Sequence, residues 1–387
     1  MRYRILSLLV VGFVVAFGTG SLAADSTSSK LPPFISINTF EVGSSGFTTM
    51  SFASEAITQM TGQKFRILPA QTDVARITAL KAGTVYFSGA GTGGIFASSG
   101  REEFAQISLG PQDLYLVWCA AFPGWGMVVR GDSGIKIPSD LRGKRVAFME
   151  GWPGTNVQVF ATLAFGGLTM KDVEIVKVSG HAAACDALLS GGIDTFNTVP
   201  TSTFAYRIES SSHGIGYITH PFNDEGGWKR AKEVFPFWTK FTAMTGAGVS
   251  KDKPLQTSTN ANPMLVAYAN QDPEIVYWMA KHLAEAYPVY SQKSPIMKTN
   301  WTLEWNLELM SFTSIPIHPG VIRYLKEIGK WTPELEAKNQ ERLQNRKALI
   351  SLWNQATVSA KKEKVRDEDF PAYWEKMRAA AGPRYAW

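Results

Sequence analysis

An α/β fold of two similar lobes is predicted by three observations. Two stretches, 34–87 and 146–197, each read in the order strand, helix, strand, helix, strand. Short polar, glycine-rich turns join strands to helices, and the length of 387 residues suits two domains at about 100–200 residues each. Alternation of this kind is the pattern of sheets with helices packed on their faces.

The elements follow in order. Residues 34–38 form a short β-rich run, and 48–61 place Met50, Ala53, Ile57 and Met60 at helical spacing, closing at Gly62. Residues 65–68 are the next strand. Thr72 and Asp73 cap a helix whose apolar side is Val74, Ile77 and Leu80, stopped by Gly83, and 85–87 is a strand leading into the turn at Ser88. The stretch 114–130 is long, extended and aromatic, with Tyr115, Trp118, Phe122 and Trp125. Pro138 and Ser139 open a one-turn helix that Gly143 stops. The second series has strands at 146–149, 173–178 and 194–197 and helices at 155–165 and 181–189. Beyond Gly248, 264–268 is extended, while 273–287, 301–310 and a segment from Val321 are helical. From Thr332 onward acids and bases alternate at helical period, which reads as a solvated face.

Four turns stand out between a strand and a helix: 41–47, 88–94, 150–156 and 197–203. The first N–H groups of a helix lack intrahelical partners and carry roughly half a positive charge. Several such turns in one cleft hold a carboxylate without an arginine. Open α/β sheets bind ligands outside the carboxyl ends of their strands. The ligand candidates at helix starts are therefore Ser44, Ser45, Gly46 and Phe47; Thr72 and Asp73; Gly91, Thr92 and Gly93; Gly154, Thr155 and Asn156; and Thr198 and Thr201. Trp152, inside the third turn, is a candidate wall or stacking surface for the ligand, or else a plug of the interface between the lobes. Arg76, one turn into its helix, reads as either a carboxylate clamp or a solvated surface residue.

The start of the chain reads as an export signal over 1–23: Arg2 and Arg4, an apolar stretch from Ile5 to Phe17, and cleavage near Ala23. That apolar stretch is shorter than the about 20 residues of a membrane span. The mature chain is expected in the periplasm. Loss of Arg2 and Arg4 leaves 37 basic against 33 acidic residues, or +4. This mild excess carries no nucleic-acid signature.

Cys119 and Cys185 could pair in an oxidising compartment, or stay buried as free thiols. The five histidines show no metal-ligand spacing and read as structural. No metal and no cofactor is expected. Catalysis is not expected either: the turn at Gly43–Gly46 departs from the Gly-x-Ser-x-Gly elbow, and there is no phosphate-binding GxxxxGK loop. A secreted hydrolase is thus a weak alternative; a periplasmic ligand-sensing protein on the same fold is a second one.

Several phrases occur in a specific order: Val128-Val-Arg-Gly-Asp-Ser-Gly-Ile135, Asp140-Leu-Arg-Gly-Lys-Arg-Val146, Gly151-Trp-Pro-Gly-Thr155, Leu188-Leu-Ser-Gly-Gly-Ile-Asp-Thr-Phe196 and Ile315-Pro-Ile-His-Pro-Gly320. Together with the first Gly-rich turn, this set resembles the TAXI family of periplasmic solute receptors over about 34–330. The resemblance implies a type II periplasmic-binding-protein fold, with a cleft between lobes and crossover strands as hinges. It implies lobe 1 at 33–130 plus 259–331, lobe 2 at 131–258, and a helical C-terminal extension at 332–387. It also implies capture of a small carboxylate (amino acid, oxoacid or dicarboxylate) and delivery to a TRAP-type membrane permease. Trp152 and the helical tail depart from the common pattern of that family.

Overall fold

The computed structural model describes residues 31–382; the expected export signal lies outside them. The chain runs through β1 (Phe34–Thr39), α1 (Ser45–Thr61), β2 (Lys64–Pro69), α2 (Asp73–Lys81), β3 (Phe87–Gly89), α3 (Gly93–Ser99) and β4 (Leu114–Ala121). Local chemistry sets these ends. Ser44 accepts from the Phe47 N–H to cap α1, and Gly62, at φ +76, closes it in the left-handed region. Thr72 caps α2 by accepting from the Ala75 N–H at 3.1 Å.

The next elements are β5 (Gly126–Arg130), β6 (Arg145–Met149), α4 (Pro153–Phe165), β7 (Glu174–Val178), α5 (His181–Leu189), β8 (Phe196–Thr198), α6 (Thr203–Glu209), β9 (Ile215–Tyr217), α7 (Glu225–Val234), β10 (Thr239–Ala243) and β11 (Leu255–Thr259). The chain then returns through β12 (Ala261–Tyr268) and ends in helices: α8 (Pro273–Glu285), α9 (Tyr287–Tyr290), α10 (Pro295–Asn300), α11 (Leu303–Met310), α12 (Pro319–Glu327), α13 (Pro333–Lys362) and α14 (Phe370–Ala381).

One sheet has five strands in the order β2-β1-β3-β12-β4. Its first three are parallel, while β12 runs antiparallel to both β3 and β4. A separate two-stranded sheet pairs β10 antiparallel with β11, and β5 pairs antiparallel with β8 and β9. The parallel pair β6–β7 is attached to this group by a bridge from Val146 to Thr195. Alternation along β5 explains why both of its faces are covered: Val128 joins Ala147, Leu188 and Phe196 on one face, and Met127 and Val129 join Val146 and Leu163 on the other. The chain crosses between the sheets at 122–125 and at 259–261, and the two crossings are tied together. Trp125 N–H donates to Ser258 at 2.8 Å, and the Thr259 hydroxyl donates to the Phe122 carbonyl at 3.1 Å.

Four expectations need correction. The stretch 114–130 is two strands in two different sheets, because β5 finds its partners in β8 and β9 rather than beside β4. Ser88 and Gly89 belong to β3, where Val266 and Leu265 pair with them, so the turn begins two residues later. The third strand of the second series lies at Phe196–Thr198, with Thr195 bridging to Val146. The tail is also more than a solvated helix. Leu349, Trp353, Ala356, Phe370 and Trp374 form a buried cluster with Ala105, and Trp374 donates to the Gly100 carbonyl at 2.8 Å. The charged alternation describes only its outer face.

Both cysteines are buried and free, Cys119 on β4 and Cys185 on α5. Among the described residues no helix is long and apolar enough to cross a membrane, and no group of three or more His, Cys, Asp or Glu is placed to hold a metal ion.

Candidate ligand cleft

The turns that follow β1, β3, β6 and β8 meet around a cavity of about 40 Å³. From the five-stranded side come Ser44, Ser45 and Gly46 at the start of α1, Asp73 at the start of α2, and Thr92 and Gly93 at the start of α3. From the opposite side come Trp152, Gly154 and Thr155 at the start of α4, and Thr198 at the end of β8. The approach is close: a Cβ on Gly154 would lie 2.5 Å from the Gly93 nitrogen, so the two helix starts touch through backbone. Only glycine permits this contact.

Five other candidates from the sequence lie around this cavity without lining it. Phe47 is half-buried on α1. Thr72 is engaged as the α2 cap. Gly91, in the left-handed region at φ +52, leaves room for the Asn262 side chain, whose Oδ1 would lie 2.8 Å from a Cβ there. The Asn156 amide is used on both polar atoms by Met149, accepting from its N–H and donating to its carbonyl, and so braces the turn between β6 and α4. Thr201 shares a hydrogen bond of 2.9 Å with the Ser45 hydroxyl, from one side of the cleft to the other.

Charge in the cleft is arranged in pairs. Arg76, 0% exposed, donates to the Asp73 carboxylate and to the Ala70 carbonyl at 3.0 Å. Its guanidinium lies 4.6 Å from the Phe40 ring centre and 5.1 Å from that of Trp152. It is neither a solvated surface residue nor a free clamp. Burial pushes the Asp73 carboxyl up and the Arg76 guanidinium down, and their mutual attraction opposes both shifts. Asp73 also accepts from the Gly154 N–H at 3.3 Å, and the Asp73 N–H donates to the Gly151 carbonyl at 3.0 Å. In the same way Glu41 accepts from the N–H of His181, at the start of α5, at 3.0 Å, with His181 Nδ1 2.9 Å from the same oxygen. The starts of α4 and α5 thus face carboxylates of the protein itself.

The start of α1 is different. Ser44 takes the Phe47 and Thr48 N–H groups, while Ser45 and Gly46 sit in the first turn, where N–H groups have no intrahelical acceptor, and line the cavity. Two further groups await a partner there. Trp152 Nε1 and Asn262 Oδ1 are buried without a hydrogen bond, and both residues line the cavity at 2% and 3% exposure.

Several lining residues escaped the sequence reading: Phe40, Phe122, Trp125, Phe204, Asn262 and His181. Phe122 and Trp125 belong to the aromatic stretch 114–130, but strand propensity alone does not place them at a crossing between sheets. His181, read as structural, stacks on Phe204 with ring centres 6.0 Å apart and meets Trp152 edge-on at 5.1 Å.

The profile of the NMT1-like family matches residues 46–329. Among solved structures, similarity is found to the alkanesulfonate-binding protein SsuA from Xanthomonas axonopodis pv. citri, at 15% identity and TM-score 0.43, covering 80% of this chain and 84% of that one. The periplasmic aliphatic sulphonate binding protein SsuA from Escherichia coli gives 14% identity and TM-score 0.43, covering 85% and 89%. An ancestral arginine-binding protein gives 18% identity and TM-score 0.42, covering 69% and 96%.

Proposed function

The chain belongs to the NMT1-like family, and we propose that it is an extracytoplasmic solute receptor, without enzymatic activity, that captures a small carboxylate by closure of two lobes. The observation that carries this reading is the meeting of helix starts from both sheets around one buried cavity. Lobe 1 is built on the five-stranded sheet and lobe 2 on the strands around β5, with the crossings at 122–125 and 259–261 as hinges. The C-terminal helices form an extension on lobe 1.

The solute carboxylate is received by the Ser45 and Gly46 N–H groups and by the hydroxyls of Ser45, Thr92, Thr155 and Thr198. Hydrogen bonds to a charged acceptor, in a site shut off from water, offset the cost of desolvating it. The aromatic side chains Phe122, Trp125, Trp152 and Phe204 then enclose its apolar part. Closure follows because the solute contacts both lobes at once and so favours the closed state over the open one. The ordered sequence phrases support a TAXI-type receptor that delivers its solute to a TRAP-type membrane permease from the periplasm.

A thermal-shift screen of the mature protein against amino acids, hydroxy acids, oxoacids and dicarboxylates tests this. A solute at about 100 times its Kd adds about 2.7 kcal/mol of stability. Stabilisation by a small carboxylate that disappears in Ser45→Trp, with the circular dichroism spectrum unchanged, is the expected result. Equal stabilisation of wild type and Ser45→Trp would remove the site assignment.

A further inference from the structure

A second cavity, of about 290 Å³, lies between the C-terminal end of α3, the loop after α11 and the side of α13. It is lined by Ser98, Ser99, Ser311, Thr313 and Ser314, and by Lys338, Glu341, Arg342, Asn345 and Arg346 from α13. Nothing in the cleft uses these residues, and all of the α13 ones lie beyond the 46–329 span of the family profile.

The charges of the cavity are unequal in standing. Lys338 is paired with Glu334 at 2.8 Å, and Arg346 with Asp113 at 2.8 Å. Arg346 is further held by the Leu114 carbonyl and the Tyr115 hydroxyl. Arg342 has no such partner among the described residues. It is 8% exposed; its Nη2 donates to the Met310 carbonyl at 2.7 Å, and its Nη1 is buried without a hydrogen bond. The Ser314 hydroxyl is buried beside the same cavity, also without a partner. Glu341 is exposed and lines the cavity, and the attraction of its carboxylate opposes the effect of burial on Arg342.

A buried guanidinium with no carboxylate in contact is costly, and the cost falls when an acceptor completes its fork. Burial lowers Arg342 to about 10, which leaves it charged at neutral pH. We propose that this cavity is a second binding site, taking a small oxyanion (carboxylate, sulfate or phosphate) whose oxygens accept from Arg342 Nη1 and Ser314 Oγ. The planar guanidinium suits two oxygens of one anion. The site is independent of the solute cleft, although α3 connects them: Thr92 and Gly93 at its start line the cleft cavity, and Ser98 and Ser99 at its end line this one.

The test is calorimetric titration of the full mature chain with inorganic phosphate, sulfate and acetate at constant ionic strength. Saturable binding of at least one of them, near one equivalent per chain, is expected in wild type and in the cleft variant Ser45→Trp. Arg342→Gln should weaken it by at least about tenfold, and Arg342→Lys, which keeps the charge but loses the fork, should weaken it less. Ser314→Ala, which leaves the buried Arg342 in place, gives the same reading if Arg342→Gln fails to fold: a measurable loss of affinity. Absence of saturable binding by all three anions overturns the proposal. So does binding that survives both Arg342→Lys and Ser314→Ala unchanged, or that vanishes in Ser45→Trp, since the anion would then sit in the cleft.

Discussion

Asp73 and Gly154 meet across the cleft, the carboxylate Oδ2 accepting from the backbone N–H at 3.3 Å. Because Asp73 is also paired with Arg76 on its own helix, one side chain ties α2 to itself and to the start of α4. The contact joins an element packed on the five-stranded sheet to one packed on the strands around β5.

Replacing Asp73 by Asn should therefore be costly. The substitution leaves Arg76 buried at 0% exposure without its paired carboxylate, with Glu41 a weaker opposing charge. Breaking a buried pair on one side costs about 3–5 kcal/mol. Urea unfolding followed by tryptophan fluorescence measures it; a loss below about 1 kcal/mol, the range of an exposed pair, would mean that water reaches Arg76.

Trp374 is the anchor of the tail. It is 0% exposed, stands edge-on to Trp353 at 4.9 Å and donates to the Gly100 carbonyl. Trp374→Ala should cost about 3–5 kcal/mol, as aromatic truncation in a core does. A protease that cleaves 332–387 from the variant but not from wild type would locate the damage at α13 and α14.

Acid should weaken the fold through two histidines. Burial lowers His220 from 6.5 to about 3 and His318 from 6.5 to about 4. The unfolded chain takes up these protons near pH 6.5 and the folded one does not, so stability falls as pH drops from 6.5 toward those lower values. Each histidine contributes about 1.4 kcal/mol per pH unit inside its window. Glu103 acts in the opposite direction, because burial raises it from 4.5 to about 7, and its unfavourable ionisation is relieved as pH falls through that interval. The slope of stability against pH between 6 and 4.5 should flatten by about 1.4 kcal/mol per unit in His220→Phe. An unchanged slope would mean that His220 titrates normally in the folded protein.

Reducing agent should leave the melting temperature unaltered. Cys119 and Cys185 are both buried and unpaired, and burial pushes both thiols up, which disfavours the reactive thiolate. A thiol reagent should count two groups per chain after denaturation and close to none before it. Fewer than two groups in the denatured, unreduced protein would reveal a disulfide.

Much of the fold was legible because its signals are local. Helical spacing of Met50, Ala53 and Ile57 and the stop at Gly62 define α1 closely. Likewise α5 begins and ends where its apolar run and the following glycines place it, at His181 and Leu189. The split of 114–130 was hidden because strand propensity cannot say which neighbours a strand finds; β4 and β5 are told apart only by their pairing with β12 and with β8. The cleft shows the same division. Helix starts such as Ser45 and Thr155 could be read from turns, whereas Phe40, Phe204 and Asn262 reach the cavity from positions with no turn chemistry. Arg76 was ambiguous because its burial depends on Phe40 and Trp152, which are distant in sequence.

On the proposed function, the contact of Gly154 with Gly93 has a consequence for how the receptor changes over generations. Two backbones in contact fix a mechanical end point, since neither can be trimmed by substitution, a side chain on Gly154 would run into the Gly93 backbone and one on Gly93 into the Asp73 carboxylate. The geometry of the shut form is thereby separated from the identity of the side chains that face the solute. Residues such as Thr198, Val199 or Phe204 can drift, altering what is recognised, while the distance travelled on shutting stays the same. A surface on the outside that senses only whether the molecule is shut would go on working through every such change of solute.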